Sequence, residues 1–230
     1  MISADRRVSD LENPIDFLSA LTDDELGAFR ARGRIRRFAR GEAIFHEGDD
    51  PGGVVAIVSG RVKVSVTGVG GREVVLGFPE AGELVGELAA TVGRPRGATV
   101  TAVDDVEAIA VRTVEFQRFV SDHPRIAPLV FERVAALLAQ ANRQLVDFAT
   151  RDVTARVAGR LIELAEKAGD PDPSGIRITL ALSQDELAAW TGASREAVAR
   201  SLHLLRELDW IETGRREIKV LNADGLRSLL

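Results

Sequence analysis

The stretch LSQDELAAWTGASREAVARSLHLLRELDWIETGRREIKVL, residues 182–221, predicts two short helices, a tight turn between them and a two-stranded hairpin after them. Ser183 and Glu186 form a capping box at the start of the first helix, and Gly192 supplies the permissive backbone that the turn requires. Ser194 caps the second helix. That helix has two faces: Val198, Leu202 and Leu205 on the side expected to be buried, and Glu196, Arg200, His203 and Glu207 on the side expected to be free.

This pattern is typical of a winged helix-turn-helix that binds DNA. Arg195 and Glu196 lie at the N-terminal end of the second helix, the end that enters the major groove first. Arginine donates two hydrogen bonds to guanine, and glutamate accepts from cytosine. Arg215, Arg216 and Lys219, near the tip of the hairpin between strands around Ile211 and Ile218, are natural phosphate contacts.

The charge of this region leaves a second interpretation open, namely a small helical domain that contacts protein. Residues 151–230 hold 12 Lys and Arg against 13 Asp and Glu, and the whole chain of 230 residues has a net charge of −5. Attraction to DNA must therefore come from the local placement of basic residues. Affinity that falls as salt rises distinguishes the two interpretations.

The segment from Gly41 to Arg112 predicts an all-β domain. Short apolar runs such as GVVAIVSG and RVKVSV are separated by glycines, and several alternate with a period of two. This spacing predicts a β-sandwich, jelly roll or small barrel. A capping box at Thr22 and Glu25 predicts a short helix before it, and the arginine-rich run from Arg30 to Arg40 favours a solvated strand edge, with Ile35 and Phe38 inward, over a nucleic-acid patch.

A longer helix follows, with one narrow apolar stripe. The stripe holds Val130, Val134, Leu137, Ala141, Leu145 and Phe148. It fits a seam between two helices, or a helix that packs on its own barrel, and both can hold along different parts of its length. Asp152 caps a further helix, so we place a domain boundary near Thr150, and DPDPSG at residues 170–175 is expected to be a loop.

Composition excludes several classes of protein. The chain has no cysteine, which excludes disulfides and thiolate metal sites. Its three histidines, His46, His123 and His203, are far apart in sequence, so we expect no metal site, and we find no nucleophile–base set that would indicate an enzyme. No run is long enough to span a membrane and the first residues lack an apolar segment, so we expect a cytoplasmic protein.

Five segments, GEAIFHEGD, SGRVKVSV, GELVGELA, RGATVTA and SREAVARSL, occur in the order found in the cyclic-AMP receptor protein/FNR family of bacterial transcription regulators. The chain resembles that family from about residue 18 to residue 221. The resemblance implies an α+β chain: a cyclic-nucleotide-binding β-barrel of jelly-roll type with an N-terminal arm at residues 1–122, a long dimerisation helix at 123–150, and a winged helix-turn-helix at 151–230.

Within GELVGELAATVGRPRGATVTA, residues 82–102, the resemblance implies a phosphate-binding cassette. Glu87 would accept from the ribose 2′-hydroxyl, and Arg96 would hold the cyclic phosphate. The candidate ligand contacts are Gly86, Glu87, Leu88, Arg96, Gly97, Ala98 and Asn142. The alternative is a Glu87–Arg96 ion pair with no ligand.

Two departures from the family pattern bear on the effector, which we expect to be cyclic AMP, with no other cofactor. Gly97 stands where cyclic-AMP binders usually have Ser or Thr, and Ala141-Asn142 stands where close relatives have a Thr-Ser pair. Asn142 can pair with adenine or fix the register of a helix seam. Another effector, such as a cyclic dinucleotide, or none, therefore remains an alternative.

The expected partners are a palindromic DNA site, a second copy of the chain and, from the resemblance alone, RNA polymerase; no membrane partner is expected. The candidate DNA contacts are Ser183, Gln184, Ser194, Arg195, Glu196, Arg200, Arg215 and Arg216. The resemblance implies a half-site close to TGTGA, since Arg195, Glu196 and Arg200 match the family's reading residues.

Overall fold

A computed structural model describes residues 16–178, 183–214 and 217–230, with only the backbone of Ala168. These residues form two compact units. The first runs to Val66 and continues from Leu76 to Arg143, and the second holds Thr67–Val75 and Gln144–Leu230. None of the helices in the described ranges is long and apolar enough to cross a bilayer.

The first unit begins with two short helices, α1 (Phe17–Ala20) and α2 (Asp23–Arg32). The capping box predicted at Thr22 and Glu25 is confirmed: the Thr22 hydroxyl accepts from the Glu25 backbone, and the Glu25 carboxylate accepts from the Thr22 backbone. Phe29 of α2 is fully buried and packs edge-on against Phe17 and Phe119. Local capping thus fixes where α2 begins, and its aromatic side chain anchors it to the core.

Eight strands form two antiparallel sheets of four strands each, which confirms the predicted jelly-roll barrel. The strands are β1 (Gly33–Phe38), β2 (Ala43–Phe45), β3 (Gly53–Ser59), β4 (Val62–Thr67), β5 (Glu73–Gly77), β6 (Leu84–Val85), β7 (Thr99–Ala102) and β8 (Val106–Arg112). Their order is β1-β8-β3-β6 in one sheet and β2-β7-β4-β5 in the other. Buried residues of both sheets, including Val55, Val85, Val100 and Ala108, share one apolar cluster.

The middle of the arginine-rich run, from Arg34 to Arg37, lies in β1 at the edge of its sheet, as predicted, whereas Arg30 and Arg32 belong to α2. Phe38 is buried, but Ile35 is 56% exposed, so the expectation that both face inward is wrong for Ile35. β1 pairs only with β8 within its sheet, and the positions from Arg34 to Arg37 all face solvent. An edge strand buries less than a central one, and alternation along the sequence does not reveal this difference.

Three helices complete the elements around the barrel: α3 (Glu87–Val92), α4 (Thr113–Asp122) and α5 (Ile126–Thr150). Ile126 and Val130 at the start of α5 belong to the core of the first unit. The large exposed apolar side chains of α5 are Phe131, Leu138 and Leu145, at 73%, 62% and 66% exposure, with Val146 and Phe148. The predicted stripe is therefore divided: Val130 packs into the core, whereas Leu145 and Phe148 are exposed. In the middle of the helix the exposed leucine is Leu138, and Leu137 of the predicted stripe is half-buried.

The second unit holds α6 (Val153–Ala168), β9 (Gly169–Asp172), β10 (Gly175–Ile178), α7 (Gln184–Thr191), α8 (Arg195–Glu207), β11 (Ile211–Gly214), β12 (Glu217–Val220) and α9 (Ala223–Arg227). Its strands form one antiparallel sheet in the order β11-β12-β10-β9. The expected loop at residues 170–175 is wrong, because part of it is the edge strand β9. Proline is tolerated at such an edge, and Pro171 pairs there with Ile176. Asp152 caps α6, as predicted.

Candidate functional site

The cassette is built around Gly86, which joins β6 to α3. Gly86 is the N-cap of α3 and has a left-handed backbone with φ of 86°. A Cβ atom there would lie 2.7 Å from Nη1 of Arg96 and 2.9 Å from Cε2 of Phe45. Only glycine fits this position, because both the backbone angle and the neighbouring side chains exclude a larger residue.

Arg96 lies under this turn and is only 4% exposed. Its Nη1 donates to the Gly86 carbonyl at 2.9 Å and its Nη2 donates to the Gly53 carbonyl at 2.5 Å. The guanidinium carbon lies 3.7 Å from the centre of the Phe45 ring, within the range of a cation–π contact. Its Nε has no hydrogen-bond partner within the described ranges. Arg96 is thus held in place by backbone carbonyls and retains an unused donor.

Burial lowers the pKa of Arg96, while the nearby carboxylates of Glu87 and Asp49 act in the opposite direction. An arginine starts so far above neutral pH that it stays charged. The site therefore contains a buried cation with unused N–H capacity, which is the property needed to hold an anion.

Glu87, the first residue of α3, is 3% exposed. Its ion-pair partner is Arg133 of α5, whose Nε lies 3.6 Å from Oε1 of Glu87. The alternative of a direct Glu87–Arg96 ion pair is not found among the described residues. Burial raises the pKa of Glu87; the attraction of Arg133 is the strongest effect that lowers it, and Glu83 adds a smaller upward effect.

The structure brings Gly86, Glu87 and Arg96 together, and the other candidate ligand contacts differ in exposure. Gly97 is exposed and Ala98 is half-buried, directly after Arg96. Leu88 is 50% exposed on α3. Asn142 is exposed on α5 and makes no side-chain hydrogen bond in the part of the chain that the structure describes.

Sequence reasoning missed four residues of this site: Phe45, Gly53, Glu83 and Arg133. Phe45 and Gly53 come from β2 and β3, far from the cassette in sequence, and no local pattern marks them. Arg133 did carry a signal, since it is an arginine between apolar positions of a helix. Glu83 is likewise a carboxylate beside a buried strand. Charged residues among apolar ones are buried when they have partners, and the sequence did not show which partners these were.

In the second unit, α7 and α8 form the predicted helix-turn-helix. The capping box of Ser183 and Glu186 is present, Gly192 ends α7 with a left-handed backbone at φ of 61°, and the Ser194 hydroxyl caps α8 by accepting from Ala197. A Cβ atom on Gly192 would lie 2.8 Å from the Phe148 ring. The turn is thus fixed both by backbone conformation and by close packing.

The face of α8 predicted to be free is exposed. Val198, Leu202 and Leu205 are buried, as expected, and Arg195, Glu196 and Arg200 are exposed. Arg195 lies 3.7 Å from the Asp185 carboxylate, an exposed pair of small energetic weight. The pKa of Glu196 is lowered by its own backbone N–H and then by the Ser194 hydroxyl, so it is an ionised acceptor at neutral pH.

The remaining candidate DNA contacts differ in their exposure and in whether their side chains already have partners. Ser183 and Gln184 are exposed, although the Ser183 hydroxyl is engaged with Glu186. Arg215 and Arg216 lie outside the described residues. Lys219 is only 14% exposed at its side chain and is paired with Asp172, so the expectation of a free phosphate contact at Lys219 is wrong.

Two domain families match the chain. Residues 35–123 match the cyclic nucleotide-binding domain, and residues 155–229 match the Crp-like helix-turn-helix domain. The first match contains the cassette and the second contains α7, α8 and the hairpin.

Named relatives cover most of the chain. A CRP-like cAMP-activated global transcriptional regulator of Mycobacterium tuberculosis is 30% identical over 189 residues, 82% of this chain and 84% of that protein. The cyclic AMP receptor protein of Thermus thermophilus is 31% identical over 198 residues, 84% of this chain and 87% of that protein. Among solved structures, the c-di-GMP responsive global regulator CLP of Xanthomonas campestris superposes with a TM-score of 0.78 at 25% identity, covering 86% of this chain and 99% of that one.

Proposed function

Since the chain belongs to the cyclic-AMP receptor protein/FNR family of DNA-binding transcription regulators, we propose that it is a homodimer whose DNA binding is controlled by cyclic AMP bound in the barrel. The cassette is the observation that supports a cyclic nucleotide as the effector. A buried arginine with an unused Nε and a buried glutamate lie at one glycine turn.

The two charged side chains of the cassette suit two polar groups of a cyclic nucleotide, the phosphate and a ribose hydroxyl. Arg96 offers N–H donors to a phosphate that carries one negative charge at neutral pH, and Glu87 offers a carboxylate oxygen to a ribose hydroxyl. Gly97 and Ala98 would add backbone N–H groups, and Leu88 an apolar contact. Two relatives are named for cyclic AMP, which supports that nucleotide as the effector.

A cyclic dinucleotide is the second candidate effector. Gly97 lacks the hydroxyl that cyclic-AMP binders usually place after the arginine, and the related regulator CLP is described as c-di-GMP responsive. A missing hydrogen bond to a charged acceptor costs about 1.5–3 kcal/mol. Calorimetric titration with cyclic AMP, cyclic GMP and c-di-GMP separates the candidates, because only the true effector should bind at micromolar concentration.

The DNA half of the proposal rests on α8, whose exposed N-terminal turns carry Arg195, Glu196 and Arg200. In a dimer, two such helices would occupy successive major grooves roughly 34 Å apart. Ser183, Gln184 and Ser194 would contact the backbone, as would Arg215 and Arg216 of the wing.

We propose that the effector acts by shifting a conformational population. Ligand in the barrel would favour one setting of the break between α5 and α6, where Asp152 caps α6. We propose three functional parts of the chain: the barrel domain with its N-terminal arm at residues 1–122, the dimerisation helix at 123–150 and the winged helix-turn-helix at 151–230. Contact with RNA polymerase is an expectation from the family alone.

Replacing Arg200 with alanine should cost about 1–3 kcal/mol of DNA affinity and relax the base preference at one position of each half-site. Selection from a random DNA library, followed by sequencing of the bound fraction, measures the base preference, and fluorescence anisotropy on the selected site measures the affinity. Arg227→Ala is the matched control, because Arg227 is an exposed arginine of α9 paired with Glu166 and Asp224. Enriched sites without two-fold symmetry, or the same site for Arg200→Ala as for the parent, would refute this assignment of the recognition helix.

A further inference from the structure

Three charged side chains form a buried cluster beside the effector cassette. Glu83, Glu87 and Arg133 are 6%, 3% and 3% exposed. Nη1 of Arg133 donates to Oε2 of Glu83 at 2.8 Å, and Nε of Arg133 lies 3.6 Å from Oε1 of Glu87. Glu83 is also fixed by the Glu80 backbone N–H, which donates to Oε1 at 3.1 Å. One guanidinium of α5 therefore faces two carboxylates of the cassette region.

The contacts of Arg133 with its two carboxylates differ in length. The Glu83–Arg133 contact is a normal charge-assisted hydrogen bond, but 3.6 Å is too long for a hydrogen bond from Nε to Glu87. Nε of Arg133 has no hydrogen-bond partner within the described residues. An unused donor on a buried cation costs free energy, so a small approach of Glu87 would be favourable.

We propose that Arg133 is a positioning residue of the effector site: it orients the Glu87 carboxylate toward the ligand and links that carboxylate to α5. The inference rests on the proposed function. A ligand hydroxyl that donates to Glu87 would fix the carboxylate between itself and Arg133, so that the unused Nε donor acquires its partner. Because Arg133 is part of α5, ligand binding would then act on the helix that carries the exposed positions Phe131 and Leu138.

The charges support this role. The groups that act on Glu87 are Arg133 from α5, Glu83 before β6 and Arg96 after α3, and burial itself favours the protonated form. Among these groups, Arg133 is the strongest influence in favour of the ionised form of Glu87. Without it, the pKa of Glu87 should rise further. The ionised carboxylate is the stronger acceptor for a hydroxyl. When the pH is lowered, a variant without Arg133 should therefore lose its nucleotide affinity at a higher pH than the parent does.

The test compares cyclic-AMP binding of the parent and of Arg133→Met by calorimetry across a series of pH values. We expect Arg133→Met to bind at least tenfold more weakly at neutral pH and to recover part of its affinity as the pH rises. Arg133→Lys keeps the charge, so its midpoint of pH dependence should stay near that of the parent. Arg118→Met removes an exposed arginine of α4 and should change neither quantity.

A buried carboxylate left without its partner can destabilise the fold, so the double variant Glu83→Gln/Arg133→Met is included. It removes one charge of each sign, and the glutamine oxygen can still accept from the Glu80 backbone. If this double variant folds, it should also bind more weakly than the parent, and its midpoint should shift upward by less than that of Arg133→Met, because the weaker effect of Glu83 that raises the pKa of Glu87 is removed as well. Unchanged affinity in both Met-containing variants, or weaker binding with an unchanged midpoint, would overturn the positioning role. A parent that binds no cyclic nucleotide would overturn the proposed effector, and this inference with it.

Discussion

Replacing Arg96 with alanine should lower the affinity for cyclic AMP by more than about 100-fold, because two charge-assisted hydrogen bonds are worth about 3–6 kcal/mol. The substitution should also destabilise the barrel. Arg96 is 4% exposed and donates to the Gly86 and Gly53 carbonyls, which would lose those donors at a cost of about 1–3 kcal/mol each. Arg96 therefore has a structural role in the barrel in addition to its proposed contact with the ligand. Calorimetry gives the first effect and denaturant unfolding gives the second.

The controls separate the two roles of Arg96. Arg96→Lys keeps the charge but not the paired N–H geometry, so its affinity should lie between those of the parent and the alanine variant. Arg94→Ala removes an exposed arginine two residues away and should leave both affinity and stability unchanged. Parent-like nucleotide affinity in a folded Arg96→Ala protein would show that the cassette has been assigned wrongly.

Replacing Leu138 with aspartate should convert a dimer into monomers. Leu138 is 62% exposed and lies midway in the heptad series Phe131, Leu138 and Leu145 on α5. In a helix-to-helix seam, the new carboxylate would be buried without a partner, which costs several kcal/mol for each copy. Because Leu138 faces solvent within one chain, the fold of the chain itself should be retained. Sedimentation velocity at micromolar concentration distinguishes dimer from monomer.

Val114→Asp is the matched control for this seam. Val114 is an exposed apolar residue of α4, 55% exposed, and its replacement should leave the dimer intact. If Leu138→Asp still sediments as a dimer, α5 is not the interface. Loss of the dimer in both variants would indicate a general effect of added charge and not a specific seam.

Local chemistry explains why much of the fold was predictable. The helix starts at Thr22 and Ser183 each require a hydroxyl and a glutamate three residues later, and both capping boxes are present. The turn at Gly192 needs a left-handed backbone, which glycine adopts without strain. Signals of this kind depend on residues within one turn of each other, so the sequence displays them completely.

The features that were wrong or missed depend on packing between distant segments. Periodicity showed that α5 has an apolar stripe, but not that Val130 would pack into the core while Leu138 remained exposed. The same limit applies to the site: the sequence marked Arg96 and Glu87, whereas Arg133 reaches Glu87 only through the packing of α5 against the barrel. The exposure of Ile35 and Lys219 has the same dependence on distant segments. Ile35 is exposed because it lies on an edge strand, and Lys219 is largely buried because it pairs with Asp172.

The central claim is that a cyclic nucleotide in the barrel controls DNA binding, and the most direct test is the affinity for the selected DNA site with and without cyclic AMP. Fluorescence anisotropy at fixed salt should show at least an approximately fivefold change in Kd at saturating cyclic AMP, within the usual range of coupling between two sites. The Arg96→Ala protein should show the same Kd with and without the nucleotide. An unchanged Kd for the parent, at a concentration where calorimetry shows cyclic AMP bound, would contradict the account.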